Sequence, residues 1–218
     1  MENWKKNKLY FIITSIIVIL PMIAGILLWE QLPDRVATHF GRDNIPNGWS
    51  SKGFAVFGLP LFCLAVHVIC TVATLFSTEQ KNLSNRIIRI ILFICPAVSL
   101  ICGFSIYGYA LSYPINMEVL IGLFVGIIFV VIGNYLPKCR QNYVVGIKIP
   151  WTLSDKENWN HTHRLAGWIW VPCGIIFILN AFLHLLSSWM YFVLFAVMIF
   201  VPVIYSFVYF LKQKKEER

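Results

Sequence analysis

Two histidines one residue apart, His161 and His163, sit in the stretch GIKIPWTLSDKENWNHTHRLAGW (146–168), beside Asp155, Glu157, Lys148, Lys156, Arg164 and three tryptophans. These residue types could hold a metal, carry acid–base chemistry, dock a partner or anchor the chain at a membrane surface. On a helix, residues two apart point about 200° apart, so the pair cannot share an ion; an i,i+4 pair could. Catalysis by either histidine needs a nucleophile or an orienting partner nearby, and no such motif stands out. A second stretch, QLPDRVATHFGRDNIPNGWSSK (31–52), sets His39 between Asp34 and Asp43. One histidine with flanking acids is a weak metal signal. The loop reads either as a ligand-binding surface or as a structured cap with Trp29 and Trp49 at the membrane interface. VATHF within it is a short strand or a turn. His67, Asn180 and His184 fall inside apolar runs, where they would line a path or bond helix to helix. Catalytic residues, a metal and a cofactor are therefore all expected to be absent, and the chain is not expected to be an enzyme.

The elements that must position these residues are membrane helices. Of the 218 residues 58% are hydrophobic and 13% charged, half the charge of a typical soluble domain. The apolar residues form runs of about 20, the length that crosses a bilayer. Six spans are expected, at 9–29, 54–76, 88–111, 115–136, 165–187 and 189–211. The fold class is thus an all-α integral membrane protein of six transmembrane helices, with one structured outer loop and one structured cytoplasmic loop. Lys5, Lys6 and Lys8 precede the first span as in a signal peptide, but the run is too long for one and no A-x-A site follows, so it reads as a retained helix.

The formal charge of +8 is distributed by side. With six spans the termini share a side, and that side collects 15 of the 18 Lys and Arg residues, leaving Arg35, Arg42 and Lys52 opposite. Positive residues concentrate in the cytoplasm, so both termini and loop 137–164 are expected there, and loop 30–53 outside. The basic excess is a topology signal, and direct nucleic-acid binding is not expected. Five of the six cysteines lie in spans and Cys139 in the inner loop, with no zinc-knuckle spacing. The sequons at Asn82 and Asn160 face the cytoplasm in this topology and are set aside.

Spans three and four, and five and six, are joined by very short loops and read as helical hairpins. Gly122 and Gly126 form a G-x-x-x-G face in span four. In the inner loop, Pro150 pushes Ile149 to an extended conformation, and YVVGIKI (143–149) reads as an extended segment at the membrane surface. Ser154 and Glu157 have the spacing of a capping box, so a helix should start near Asp155 and run into span five. Trp159, His163, Ala166 and Trp170 would share one stripe of it, with Trp159, Trp168, Trp170 and Arg164 at the headgroups.

NYVVGIKIPWTLSDKENWNHTHRLAG resembles the signature of the SdpI family, N-x-x-x-G-[IL]-[RK]-x-P-W-T-L followed by Trp and Arg. It is carried here by Asn142, Gly146, Ile147, Lys148, Pro150, Trp151, Thr152, Leu153, Trp159 and Arg164. Leu32, Pro33, His39, Phe40, Gly48, Trp49, Ser51 and Lys52 resemble the outer-loop module that precedes the core in many members. Lys148 stands where Arg is more usual and Ile149 where Thr is; Lys lacks the bidentate geometry of Arg. The resemblance implies a multi-pass protein of the bacterial cell membrane, in two parts: residues 1–80, a two-helix module with the outer loop 30–53, and residues 81–218, a four-helix core with the cytoplasmic loop 137–164. It implies immunity to a secreted antimicrobial peptide toxin, with His39, Phe40, Trp49 and Lys52 as candidates on the toxin side. It also implies signalling, with Asn142, Gly146, Lys148, Pro150, Trp151, Thr152, Trp159 and Arg164 as candidates for docking a small winged-helix transcriptional repressor. The competing readings are a small-solute transporter through His67, Asn180 and His184, and a membrane-embedded enzyme.

Overall fold

A computed structural model describes residues 2–41, 44–76, 83–184 and 186–216. Arg42, Asp43, Lys81, Asn82 and Arg218, which entered the charge, metal and sequon readings, lie outside the described residues. The elements are α1 (Glu2–Leu27), the strands β1 (Arg35–Phe40) and β2 (Pro46–Ser51), then α2 (Leu59–Leu75), α3 (Asn85–Ala110), α4 (Met117–Tyr135), α5 (Pro150–Ser154), α6 (Lys156–Leu183) and α7 (Ser188–Glu216). Among the described residues six helical stretches are long and apolar enough to cross a membrane, one for each expected span. The fifth reaches back to Lys156, nine residues before its expected start, because Asp155 caps the helix there.

The chain divides into two compact units, residues 1–80 with 84–118, and residues 81–83 with 119–218. α3 packs with α1 and α2 and so falls in the first of these units. Spans three and four, read as a hairpin, thus fall in different units, whereas five and six pack together as α6 and α7.

In the first unit VATHF is a strand. β1 pairs antiparallel with β2 in the register Arg35↔Ser51, Val36↔Ser50 and Ala37↔Trp49, with irregularities towards Phe40. Val36 is buried with Leu32, Ala55, Val56, Ile106 and Tyr107, which roots the hairpin in the helices. A π-helical turn, Phe54–Gly58, leads into α2. Buried polar groups pair between helices: Thr14 with His67 at 3.1 Å, and Ser99 Oγ donating to the Val18 carbonyl at 2.8 Å. His67 also stacks on Phe11.

In the second unit α4 and α6 meet along small residues. A Cβ at Gly126 would stand 2.7 Å from the Gly174 carbonyl oxygen, and one at Gly167 would stand 2.7 Å from that of Gly133. Gly122 abuts Ala181 in the same way. The expected Gly122–Gly126 face is therefore half of a longer seam whose other half, at Gly167, Gly174 and Ala181, recurs every seven residues. α7 is tied to α6 by side chain to backbone bonds: Asn158 Nδ2 to the Ser206 carbonyl at 2.9 Å and Trp170 Nε1 to the Met198 carbonyl at 2.9 Å.

Two outcomes test this architecture. Gly126→Val must push α4 and α6 apart, and overpacking of this kind costs about 1–3 kcal/mol; the variant should melt clearly below wild type in detergent. Gly53→Ala, which meets nothing within 4 Å, should not. For orientation, Cys139 is a poor reporter, because it is 4% exposed and burial raises its thiol above the ordinary range, outweighing the hydrogen bond from Asn142 that lowers it. Ile45 and Tyr143, each 62% exposed, are better positions for single cysteines in a cysteine-free background. An impermeant thiol reagent should label position 45 in intact cells and position 143 only after permeabilisation; labelling at 143 in intact cells would invert the topology.

Candidate functional site: the inner loop and the outer hairpin

The inner loop, 136–155, contains one turn of 3-10 helix at Leu136–Lys138 and the short α5, and is otherwise irregular. Irregular backbone must find partners, and side chains supply them here. Asn142, 1% exposed, knots the first turn. Its Oδ1 accepts from Val144 and Val145 N–H, both at 2.8 Å, and its Nδ2 donates to the Arg140 and Val145 carbonyls at 2.7 and 3.2 Å. Thr152, fully buried, donates to the Ile147 carbonyl at 2.7 Å and accepts from Ile149 N–H at 3.1 Å. Gln141 Nε2 donates to the carbonyls of Thr152 and Leu153, closing the end of α5.

The loop is clasped to α6 by two side chains that stack on each other at 3.9 Å, Trp159 and His163. Trp159 is 0% exposed and its indole N–H donates to the Cys139 carbonyl at 2.7 Å. His163 Nε2 accepts from Ile147 N–H at 2.9 Å, so its proton sits on Nδ1, which donates to the Trp159 carbonyl at 2.8 Å. Gly146 allows this approach. Its φ of +127° suits glycine alone, and a Cβ there would collide with the His163 ring and stand 2.8 Å from Trp159.

Several expectations change. Trp159 is not a headgroup anchor or a surface contact; the folded loop covers it. Asn142 and Thr152 are likewise interior to the loop, and Gly146 is its hinge against α6. The helix cap is Asp155, whose carboxylate accepts from Glu157 and Asn158 N–H at 2.9 and 3.0 Å. Ser154 closes α5 instead, with its hydroxyl on the Trp151 carbonyl. His161 and His163 do point apart: His161 is exposed beside Tyr209, at 5.1 Å. Trp168 is 72% exposed, in keeping with an interface anchor. Tyr143, Lys148, Pro150, Lys156 and Arg164 are exposed, while Trp151 packs on Phe207 and Phe210 of α7. Lys148 Nζ folds back on the Tyr143 and Val144 carbonyls, both at 3.2 Å.

On the outer hairpin, His39 hydrogen-bonds Asn47, and Phe40 packs edge-on against Tyr109 at 4.9 Å. Trp49 is 51% exposed. Lys52, a toxin-side candidate, turns inward. Its Nζ donates to the Trp29 and Leu32 carbonyls at 3.2 and 2.9 Å and lies 5.0 Å from the Trp29 ring centre. Asp34, the acid expected to flank His39, pairs with Lys52 at 3.6 Å. Asn44, absent from the sequence candidates, clips the hairpin tip: Nδ2 donates to the Ile115 carbonyl at 2.8 Å and Oδ1 accepts from Met117 N–H at 2.9 Å. Beside it runs an open groove of about 550 Å³ lined by Asn44, Tyr109, Tyr113, Pro114 and Asn116 among others. Of the three residues of the transport reading, His67 belongs to the first unit and Asn180 and His184 to the second, where Asn180 bonds Tyr191 and Leu186 N–H. Among the described residues no three His, Cys, Asp or Glu groups gather as a metal would require.

The clasp is testable through Cys139. In a background retaining only this cysteine, His163→Ala and Trp159→Phe each leave a loop backbone group without its partner, at about 1–3 kcal/mol. Thiol labelling of Cys139 should be at least tenfold faster in both variants. An unchanged rate would mean that the loop is held elsewhere.

Residues 138–206 match the model of the SdpI/YfhL protein family, and residues 16–64 that of a domain of unknown function, DUF1648. The first match runs from Lys138 in the inner loop into α7, and the second holds the last twelve residues of α1, the outer hairpin and the start of α2. No solved structure matches the chain. Immunity protein SdpI of Bacillus subtilis (strain 168) is 30% identical over 182 residues, covering 82% of each chain. That kinship, together with the six apolar helices, makes the protein a multi-pass membrane protein, and it belongs to the SdpI family.

Proposed function

We propose that the protein protects its own cell from a secreted antimicrobial peptide toxin, with the outer hairpin and its groove meeting the toxin and the inner loop meeting a cytoplasmic repressor. The observation that carries immunity is the kinship along 82% of the chain with a protein named for it. The positive-inside rule places the hairpin on the side a secreted peptide reaches and the inner loop on the other. Trp49, Tyr109 and Tyr113 offer amphipathic aromatic area beside the apolar ring of Phe40, a chemistry suited to a membrane-active peptide. Lys52 contributes by holding the hairpin, and His39 by its bond to Asn47.

The signalling reading rests on a different observation. The inner loop is built as a rigid body on α6, and Tyr143, Lys148, Lys156 and Arg164 stay exposed on it. Such a face, charged with one aromatic, suits a soluble partner, here a small winged-helix transcriptional repressor held at the membrane.

Expression in a toxin-sensitive host tests the first reading directly: cells carrying the protein should survive toxin that kills the parent. Trp49→Ala and Tyr113→Ala should reduce survival at equal membrane levels, and survival like wild type in both would remove the hairpin from the toxin side. Lys148→Gln with Arg164→Gln should lower a reporter driven by the cognate promoter several-fold and leave survival nearly unchanged. Loss of survival with an intact reporter would reverse the two faces.

A further inference from the structure

α7 is longer than a bilayer needs. From Trp189, which is 62% exposed at its outer end, a rise of 1.5 Å per residue reaches Val208 after about 29 Å, the thickness of the hydrocarbon layer. Lys212, Lys214 and Lys215 then lie about 6–10 Å further on, at the depth of lipid phosphates, since each headgroup layer adds roughly 5–8 Å. The helix continues to Glu216 with regular backbone.

Val208, Leu211, Lys212 and Lys215 recur at intervals of three, four and seven residues and so share one face. Val208 and Leu211 are 57% and 44% exposed. With Lys214 they line an open hollow of about 580 Å³. Lys214 also stands 6.0 Å from the Phe210 ring centre, and Phe210 with Phe207 packs on Trp151 of α5. The hollow is apolar from the edge of the hydrocarbon layer at Val208 to Leu211, about 4.5 Å beyond it where acyl chains join the headgroup, and triply cationic at the depth of phosphates.

We propose that this end of α7 is a binding site for an anionic phospholipid of the inner leaflet, with acyl chain along Val208 and Leu211 and phosphate among Lys212, Lys214 and Lys215. The depth of the lysines selects a lipid over a soluble acidic protein, which would need them beyond the headgroups. The two-part lining selects a lipid over free phosphate, which gains nothing from Val208 and Leu211. Anionic lipid is concentrated in the leaflet to which the charge rule assigns this end. The inference stands apart from immunity, which concerns the opposite face.

The test is native mass spectrometry of the full-length protein released from detergent micelles holding equal phosphatidylglycerol and phosphatidylcholine of matched chains. Wild type should retain phosphatidylglycerol preferentially. Because each interfacial Lys contributes roughly fivefold in affinity, Lys212→Gln/Lys214→Gln/Lys215→Gln should reduce that preference at least tenfold. The equally basic triple Lys5→Gln/Lys6→Gln/Lys8→Gln should leave it unchanged. An equal loss in both triples would mean diffuse surface attraction and overturn the site, as would an undiminished preference in the α7 triple. Glycerol phosphate should fail to displace the retained lipid; displacement equal to that by short-chain phosphatidylglycerol would reduce the site to a phosphate contact and end the lipid assignment. Binding of a soluble acidic protein with no lipid preference would overturn it too.

Discussion

The separation of α4 and α6 governs what the rest of the second unit can do. Lipid tails are as apolar as leucine, so helices in a bilayer gain little from hydrophobic burial and associate through close packing and hydrogen bonds. Glycines at 126, 133, 167 and 174 bring the two backbones near enough for carbonyl oxygens to meet the opposite helix. Only at that separation does the cytoplasmic end of α4 lie beside α6, so that the Cys139 carbonyl meets the Trp159 indole. The remaining loop bonds follow from this one: Trp159 stacks on His163, His163 holds Ile147, and Thr152 holds Ile147 and Ile149.

The outer hairpin faces a different difficulty. Two strands alone are marginally stable in water. Val36 and Ala37 sink into the helical core at its base, Lys52 donates to the Trp29 and Leu32 carbonyls where the turn after α1 ends, and Asn44 secures the tip to the segment before α4. Lys52 and Asn44 are residues whose type alone suggests an exposed loop. Trp49 stays half-exposed on the hairpin, and Tyr109 and Tyr113 line the groove beside its tip.

Much of this was legible in the sequence because the bilayer imposes length. Six apolar runs gave six helices, and the Gly122–Gly126 pair announced one face of the seam. Its partners were hidden, since Gly167 and Gly174 are seven apart and make no short motif. Trp159 was misread because a tryptophan near a span end usually sits among headgroups; what buries it is a loop joined to it by contacts twenty residues away. Ser154 and Asp155 are both good caps, and the choice between them depended on α5, a helix too short to leave a periodic signal. The family signature was recognisable as a string, but three of its residues, Asn142, Thr152 and Trp159, at 1%, 0% and 0% exposure, build the loop's interior. The bonds of His163 were beyond reach, because a histidine accepting a backbone N–H sixteen residues away leaves no local pattern.

The extent of the glycine seam also restricts how the two helices cross. Contact from Gly167 to Ala181 covers fourteen residues of α6, about 21 Å along its axis. At the steep right-handed angle of about 40° common for isolated G-x-x-x-G pairs, the axes would be displaced sideways by about 7 Å at each end of such a stretch, and contact would be lost. The seven-residue recurrence fits the shallow left-handed crossing near 20° instead. For a pair of that kind, sliding of one helix along the other keeps the surfaces together, whereas pivoting about a single point pulls them apart.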